Sequence, residues 1–301
     1  MRYLLLADQR DWAFDVGHRG VIRYCGNGHQ MDIHYLNRFP FESLPPLDGY
    51  DRFFAPYRLW HALEFIPLDR CFGALRSSCW HSDRLADGPD PEDVETVNRF
   101  RGFQVVTQRN YNELHERCPR VRYLPNPIDL RIFDQITEQR EIVACWSGNA
   151  RRRSHDGISV KGIEEVILPA CRATGTRVLT TEFEGRRPHA EMPAWYRQAS
   201  VLLMASLFEG CSRTLLESMA SGLAVITTET GTAGEMHRNM LEHFGSSGII
   251  LIPRSAEAMA DAIYSLTPDR IREMGRLNRL EIEARWSWDV WAPRWREFLE
   301  S

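Results

Sequence analysis

Residues 201–228 constrain the fold most. They read as a short buried strand at 201–205, a polar loop at 206–213, a helix at 214–221 and a second strand at 224–228, with Gly222 at the turn. Strand, helix and strand in that order make a βαβ unit, which requires a parallel sheet with helices laid on its faces. The alternation extends in both directions. Before it stand a strand at 142–147, a helix at 161–174, a strand at 177–181 and a short helix at 194–199; after it, helices at 233–244 and 256–277. Further upstream, apolar runs at 3–7, 31–36, 52–55, 71–75, 104–107 and 120–124 read as strands, with a helix through Gly17 and Gly20 and a proline-rich loop at 40–49. Such alternation predicts an α/β class built on open sheets.

A chain of 301 residues is long for one core and suits two domains. Pro125-Asn-Pro-Ile-Asp129 and the charged stretch after it mark an exit from the first, which places domains at 1–137 and 138–283, with a terminal segment at 284–301. The composition, 43% hydrophobic and 26% charged, excludes a largely disordered chain. A net charge of −4 offers no basic domain for nucleic acid. The apolar run at the start is too short for a signal peptide or a membrane span, so a cytoplasmic protein without stable membrane insertion is expected. Seven scattered cysteines without a CxxC pair read as reduced, mostly buried thiols, and none of the ten histidines falls in a zinc motif. Of the 37 lysines and arginines all are arginine except Lys161, which marks that position as one that needs a compact ammonium on a flexible stem.

In open α/β sheets ligands bind beyond the carboxyl ends of the strands, where free backbone N–H groups and the positive end of a helix dipole meet an anion. Glu209-Gly-Cys-Ser-Arg-Thr-Leu-Leu-Glu217 occupies such a place and can cradle a diphosphate. Its two glutamates suit recognition of hydroxyls, because a carboxylate accepts two hydrogen bonds from a vicinal diol. Thr214-x-x-Glu217 equally matches a helix capping box, which alone would account for Glu217.

Residues 207–235, with E-x7-E, L-E-S-M-A-S-G and a glycine-containing turn ending in Glu235, closely resemble the carboxyl-terminal signature of glycosyltransferase family 4. The resemblance implies a GT-B fold: two Rossmann-like domains facing a cleft, with a C-terminal helix crossing back to the first. It implies a retaining hexosyltransferase that takes a UDP- or GDP-sugar as donor and needs no metal. Glu209 would lie against the donor sugar and Glu217 would hold the ribose hydroxyls. The backbone at Gly210, Cys211, Ser212, Thr214 and Leu215 would face sugar and phosphate, with Cys211-Ser212 replacing the commoner Phe-Gly.

Gly148 and Lys161-Gly162 resemble the family's diphosphate-binding pair of cations, with Asn149 where arginine is common and one of Arg151, Arg152 or Arg153 supplying the charge; Arg153 is taken as the candidate. Pro125-Asn-Pro-Ile-Asp129 with Phe133 is similar to the family's P-N-G-V-D-x-x-x-F element, Pro127 standing for glycine. His81, in Ser77-Ser-Cys-Trp-His81, corresponds to a first-domain histidine that contacts donor or acceptor in some relatives, and Gly17, His18 and Arg19 form a second candidate set. Trp288, Trp291 and Trp295 share one helical face, suited to core packing or to a membrane surface. Catalysis would then rest on Lys161 and the helix starting near Thr214 against the leaving diphosphate, with attack on the face the leaving group vacates.

Residues 1–119 carry no comparable motif, so the acceptor stays open among a saccharide, a lipid-linked saccharide, a small metabolite and a hydroxymethylated base of phage DNA. Readings from other classes are a GT-B sugar-nucleotide epimerase or hydrolase and an inert sugar-nucleotide-binding protein. A dinucleotide-binding oxidoreductase fits poorly, because Gly26-Asn-Gly28 lacks a third glycine and follows a helix.

Overall fold

Every strand pair in the described residues, which are 1–36, 44–57, 65–77, 80, 88–134, 141–181 and 187–301 of this computed structural model, is parallel. The chain divides into two units, one formed by Met1–Trp80, Ala86–Pro127 and Trp288–Ser301, the other chiefly by Ile128–Ser287. Residues 40–43 of the proline-rich loop and position 137, where the sequence suggests a boundary, lie outside the described residues.

In the first unit β1 (Arg2–Ala7), β2 (Gln30–Tyr35), β3 (Arg52–Pro56), β4 (Cys71–Leu75), β5 (Gly102–Val105) and β6 (Val121–Tyr123) form one sheet in the order β2-β1-β3-β4-β5-β6. Its inner strands are buried apart from the leading arginines of β1 and β3, as a parallel sheet covered on both faces demands. Helices α1 (Ala13–Cys25), α2 (Pro91–Arg99) and α3 (Gln108–Leu114) connect them. β5 ends two residues earlier than its apolar run suggests, because the Thr107 hydroxyl accepts the Asn110 amide at 3.2 Å and starts α3.

The second unit carries β7 (Val143–Trp146), β8 (Arg177–Thr180), β9 (Val201–Met204), β10 (Ala224–Thr228) and β11 (Ile249–Ile252) in the order β11-β10-β9-β7-β8. A π-helical turn, Ile163–Ile167, runs into α4 (Leu168–Thr174); α5 (Met192–Tyr196), α6 (Arg213–Ala220), α7 (Ala233–Phe244), α8 (Ala256–Tyr264) and α9 (Pro268–Glu281) follow. The single helix expected over 256–277 is two. Thr267 caps the second, accepting the Arg270 amide at 3.2 Å, and Pro268 takes the position where a missing N–H costs nothing. Strand β11 was not anticipated; its four residues are too short a run to show a period.

At the end of the second unit the fully buried Glu281 accepts from Trp286 Nε1 at 2.9 Å and Arg285 Nη1 at 2.8 Å, and Ile128 N–H donates to Trp286 O at 2.8 Å. The chain then enters α10 (Trp288–Glu300), which belongs to the first unit. Trp288, Trp291 and Trp295 are buried there in one apolar cluster with residues of β1, β3 and α1, which decides for core packing over a membrane surface. Tyr24 stacks on Trp288 at 5.2 Å, and Tyr3 Oη donates to Leu299 O at 2.9 Å. Among the described residues no helix is long and apolar enough to cross a membrane. The six described cysteines are buried, and burial pushes the Cys171 thiol up to about 11 and Cys25 to about 12.

Gly20 of α1 marks the closest approach of α10, since a Cβ there would meet the Trp288 ring at 2.4 Å. Alanine in place of glycine inside a helix usually stabilises by about 0.5–1 kcal/mol. Here Gly20→Ala is expected to destabilise by about 1–3 kcal/mol through overpacking. Urea denaturation checks the sign, and a stabilised variant would refute this packing.

Candidate functional site

Within the second unit β7 and β9 are neighbours, yet the chain leaves β7 for β8 on one side and leaves β9 for β10 on the other. The connections diverge and open a crevice at the carboxyl ends of these two strands. The connection after β7 contributes Gly148 and Lys161-Gly162; that after β9 contributes Ser206 to Ser212 and then α6.

Two glycines let these segments touch. Gly162 adopts φ +62°, and a Cβ would come within 2.6 Å of Ala205 O. Gly231, in the turn after β10, adopts φ +57°, and a Cβ would fall 1.9 Å from Gly210 O. Backbone bonds fasten the layers: Leu207 N–H donates to Val160 O at 2.9 Å and Thr232 N–H to Gly210 O at 3.1 Å. Arg254 adds a side-chain clamp, donating to Ala205 O at 2.9 Å and Ser159 O at 2.8 Å.

In this frame Lys161 Nζ forms an ion pair with Glu209 Oε1, which also accepts from Ser206 Oγ at 2.7 Å. Both side chains are largely withdrawn from solvent, at 18% and 12% exposure, so screening of the pair by water and salt is weak. The solitary lysine and the first glutamate of the E-x7-E spacing therefore meet across 48 residues of sequence.

Glu217 does not serve as a cap. The N-cap of α6 is Ser212, whose hydroxyl accepts the Leu215 amide at 3.4 Å, so the cap falls two residues before Thr214 and the expected capping box is not formed there. The Glu217 carboxylate is instead buried, with Oε1 accepting from His189 Nε2 at 2.9 Å and Oε2 from Tyr196 Oη at 3.2 Å. Burial, with the Glu217 charge added to it, raises the Tyr196 phenol well above its usual range and keeps it a neutral donor. The Phe133 ring stands edge-on to His189 at 5.7 Å, tying the P-N-P-I-D-x-x-x-F element to this carboxylate.

Among the three consecutive arginines, Arg153 donates to Ala150 O at 2.6 Å and to Glu164 Oε2 at 3.4 Å. Arg152 lies over the ring of the buried Phe208 at 5.0 Å, one residue from Glu209. Gly148 follows β7 beside the Trp146 ring. Gly210 and the buried Cys211 sit in the loop before α6, and Thr214 and Leu215 in its first turn. Gly17 lies inside α1, as its run suggested. His18 is fully buried, its Nε2 hydrogen-bonded to Leu6 O at 2.9 Å, a core role set by the amphipathic face of α1; Arg19 pairs with Asp15 at 2.7 Å. His81 lies outside the described residues. His189, Tyr196 and Ser206 are additions that the sequence motifs do not name. Only Ser206 had a signal, as the first residue beyond an expected strand.

Residues 160–269 match the family described as Glycosyl transferases group 1. A GDP-mannose-dependent alpha-(1-6)-phosphatidylinositol monomannoside mannosyltransferase of Mycobacterium tuberculosis is 32% identical over 126 residues, covering 39% of this chain and 31% of that protein. A GDP-mannose-dependent monoacylated alpha-(1-6)-phosphatidylinositol monomannoside mannosyltransferase of Corynebacterium glutamicum is 23% identical over 235 residues, covering 65% and 60%. The chain thus spans less than a third of the first of these relatives. Among solved structures, sucrose-phosphate synthase of Thermosynechococcus elongatus superposes with a TM-score of 0.73 at 14% identity, covering 100% of this chain and 98% of that one. Anabaena HepE in complex with UDP and glucose gives 0.70 at 13% identity, covering both chains completely.

The two parallel α/β units and these likenesses define a GT-B fold. The resemblance to the glycosyltransferases is upheld through the group 1 match over residues 160–269, which contains Lys161, Glu209 and Glu217.

The cap assignment has a direct check. Ser212→Ala is expected to lower stability by about 0.5–2 kcal/mol, and Thr214→Ala by less, since only Ser212 bonds the first turn. Chemical denaturation of the two variants measures the order; the reverse would restore the capping box.

Proposed function

We propose that the protein is a retaining glycosyltransferase of family 4 that moves a hexosyl group from a UDP- or GDP-sugar to a hydroxyl acceptor without a metal ion. The observation that carries this reading is the pairing of Lys161 with Glu209 at the switch point between β7 and β9, with Glu217 buried on the helix that follows the Glu209 loop. An ammonium, a carboxylate at the mouth of a loop and a second, buried carboxylate on the following helix match the three parts of a donor: diphosphate, sugar and ribose.

Lys161 exchanges its bond to Glu209 for the diphosphate, and Arg152, held beside Glu209 by Phe208, adds the second positive charge in place of Arg153. The amino-terminal turn of α6 contributes its dipole to the same anion. Glu209, released from Lys161 and still held by Ser206, accepts hydroxyls of the sugar. Glu217, with one donor on each oxygen, retains acceptor capacity for the ribose diol. The bond from the anomeric carbon to the diphosphate oxygen breaks as the acceptor oxygen bonds the same carbon on the same face. The acceptor proton passes to the departing diphosphate, so no protein nucleophile is required. These fixed charges stabilise the leaving group electrostatically, and the chain's own cations take the part a metal would otherwise play.

The relatives that print GDP-mannose in their names make it the first donor to test, and a saccharide or lipid-linked saccharide the first acceptor class. Incubation with UDP-, GDP- and ADP-sugars should give nucleotide release that depends on such an acceptor, with the anomeric configuration of the product retained by NMR. No release with any acceptor sinks the reading, and epimerised free donor would favour an epimerase. Glu217→Ala should weaken nucleotide binding about tenfold or more. Lys161→Ala should chiefly lower kcat, by about 10²–10³-fold. Wild-type kinetics in both variants would show the site to be elsewhere.

A further inference from the structure

A carboxylate buried to the extent of Glu217 needs hydrogen bonds to stay ionised, and the number and direction of those bonds fix what else it can accept. His189 Nε2 donates to Oε1 at 2.9 Å and Tyr196 Oη to Oε2 at 3.2 Å. One donor per oxygen stops rotation of the carboxylate and leaves acceptor positions on both oxygens. The His189 side chain is only 15% exposed, and its ring is set by Phe133, which also packs on Tyr196 at 6.3 Å between centroids. Phe133 is in turn fixed where it stands, because its carbonyl accepts from Arg279 Nη1, which also donates to Ala220 O at the end of α6. One aromatic side chain thus aligns both donors, and the helix that carries Glu217 is tied to the same strand of contacts.

We propose that His189 is a positioning residue that, with Tyr196, orients the Glu217 carboxylate toward two adjacent hydroxyls, and so makes the site selective for ribonucleoside over deoxyribonucleoside diphosphates. The inference rests on the donor-site reading above. It goes further in assigning nucleotide discrimination to a histidine 28 residues from the glutamate it orients. It also gives Phe133 a function: buttressing that histidine.

The test compares binding of UDP and GDP with that of their 2′-deoxy and 2′,3′-dideoxy forms, by calorimetry, to the full chain and to His189→Ala and His189→Gln. In the wild type, loss of the hydroxyls should weaken binding by about tenfold or more. In His189→Ala the ratio should collapse toward one while affinity for the dideoxy nucleotide is nearly kept. His189→Gln, whose amide nitrogen can replace Nε2, should restore most of the ratio. If the alanine variant does not fold, His189→Phe keeps the ring against Phe133 without a donor and is expected to lose the ratio as well. An unchanged ratio in the variants, or equal weakening of ribo and dideoxy nucleotides, overturns the positioning role. A wild type that binds neither nucleotide, or shows no dependence on the hydroxyls, instead overturns the donor-site reading itself.

Discussion

Parallel strands deliver all their carboxyl ends to one edge of a sheet, and the chemistry of this protein depends on that constraint. In the second unit β7 and β9 lie side by side while their connections leave in opposite directions, so the two segments that follow them face each other across a gap. Lys161 arrives from one side, Glu209 and Glu217 from the other. The segments can approach because Gly162 occupies a backbone conformation at which a side chain would strike Ala205 O, and Gly231 lets the turn after β10 close on Gly210 in the same way.

The charges at this edge are kept in water-poor surroundings by different means. Lys161 and Glu209 neutralise each other, and each is available to a ligand that offers a better partner. Glu217 is sustained by two donors, the imidazole of His189 and a phenol whose ionisation burial suppresses. Glu281 provides a contrast. Equally buried, it spends its oxygens on Trp286, Arg285 and Asn239 and fixes the path of the chain toward α10. Burial of a carboxylate does not by itself mark a site; what matters is whether the oxygens retain capacity at an edge where a ligand can arrive.

Much of the architecture was legible because its signals are local. Strands β4 and β10 match their apolar runs, α7 coincides with its expected span, and the proline and threonine that divide α8 from α9 are visible in retrospect as a cap and a first-turn proline. The lone lysine and the glutamate spacing singled out residues that the fold brings together, Lys161 to Glu209. The cap of α6 fell to Ser212 and not to Thr214, and Arg153 pairs with Glu164, partnerships that local pattern does not name.

The sequence by itself determined the parallel α/β class, the punctuation by glycine and proline, and the placement of both glutamates around one loop and helix. These follow from periodicities of two and 3.6 residues and from backbone sterics, which act over a few residues. Only the tertiary structure decided that His189 and Tyr196 bond Glu217 with Phe133 packed against both, that Arg152 lies over Phe208 while Arg153 pairs with Glu164, and that the tryptophans of α10 enter a core and not a surface. Those partnerships are set by strand order and by the paths of loops, which bring together residues whose separation in sequence carries no trace of their contact.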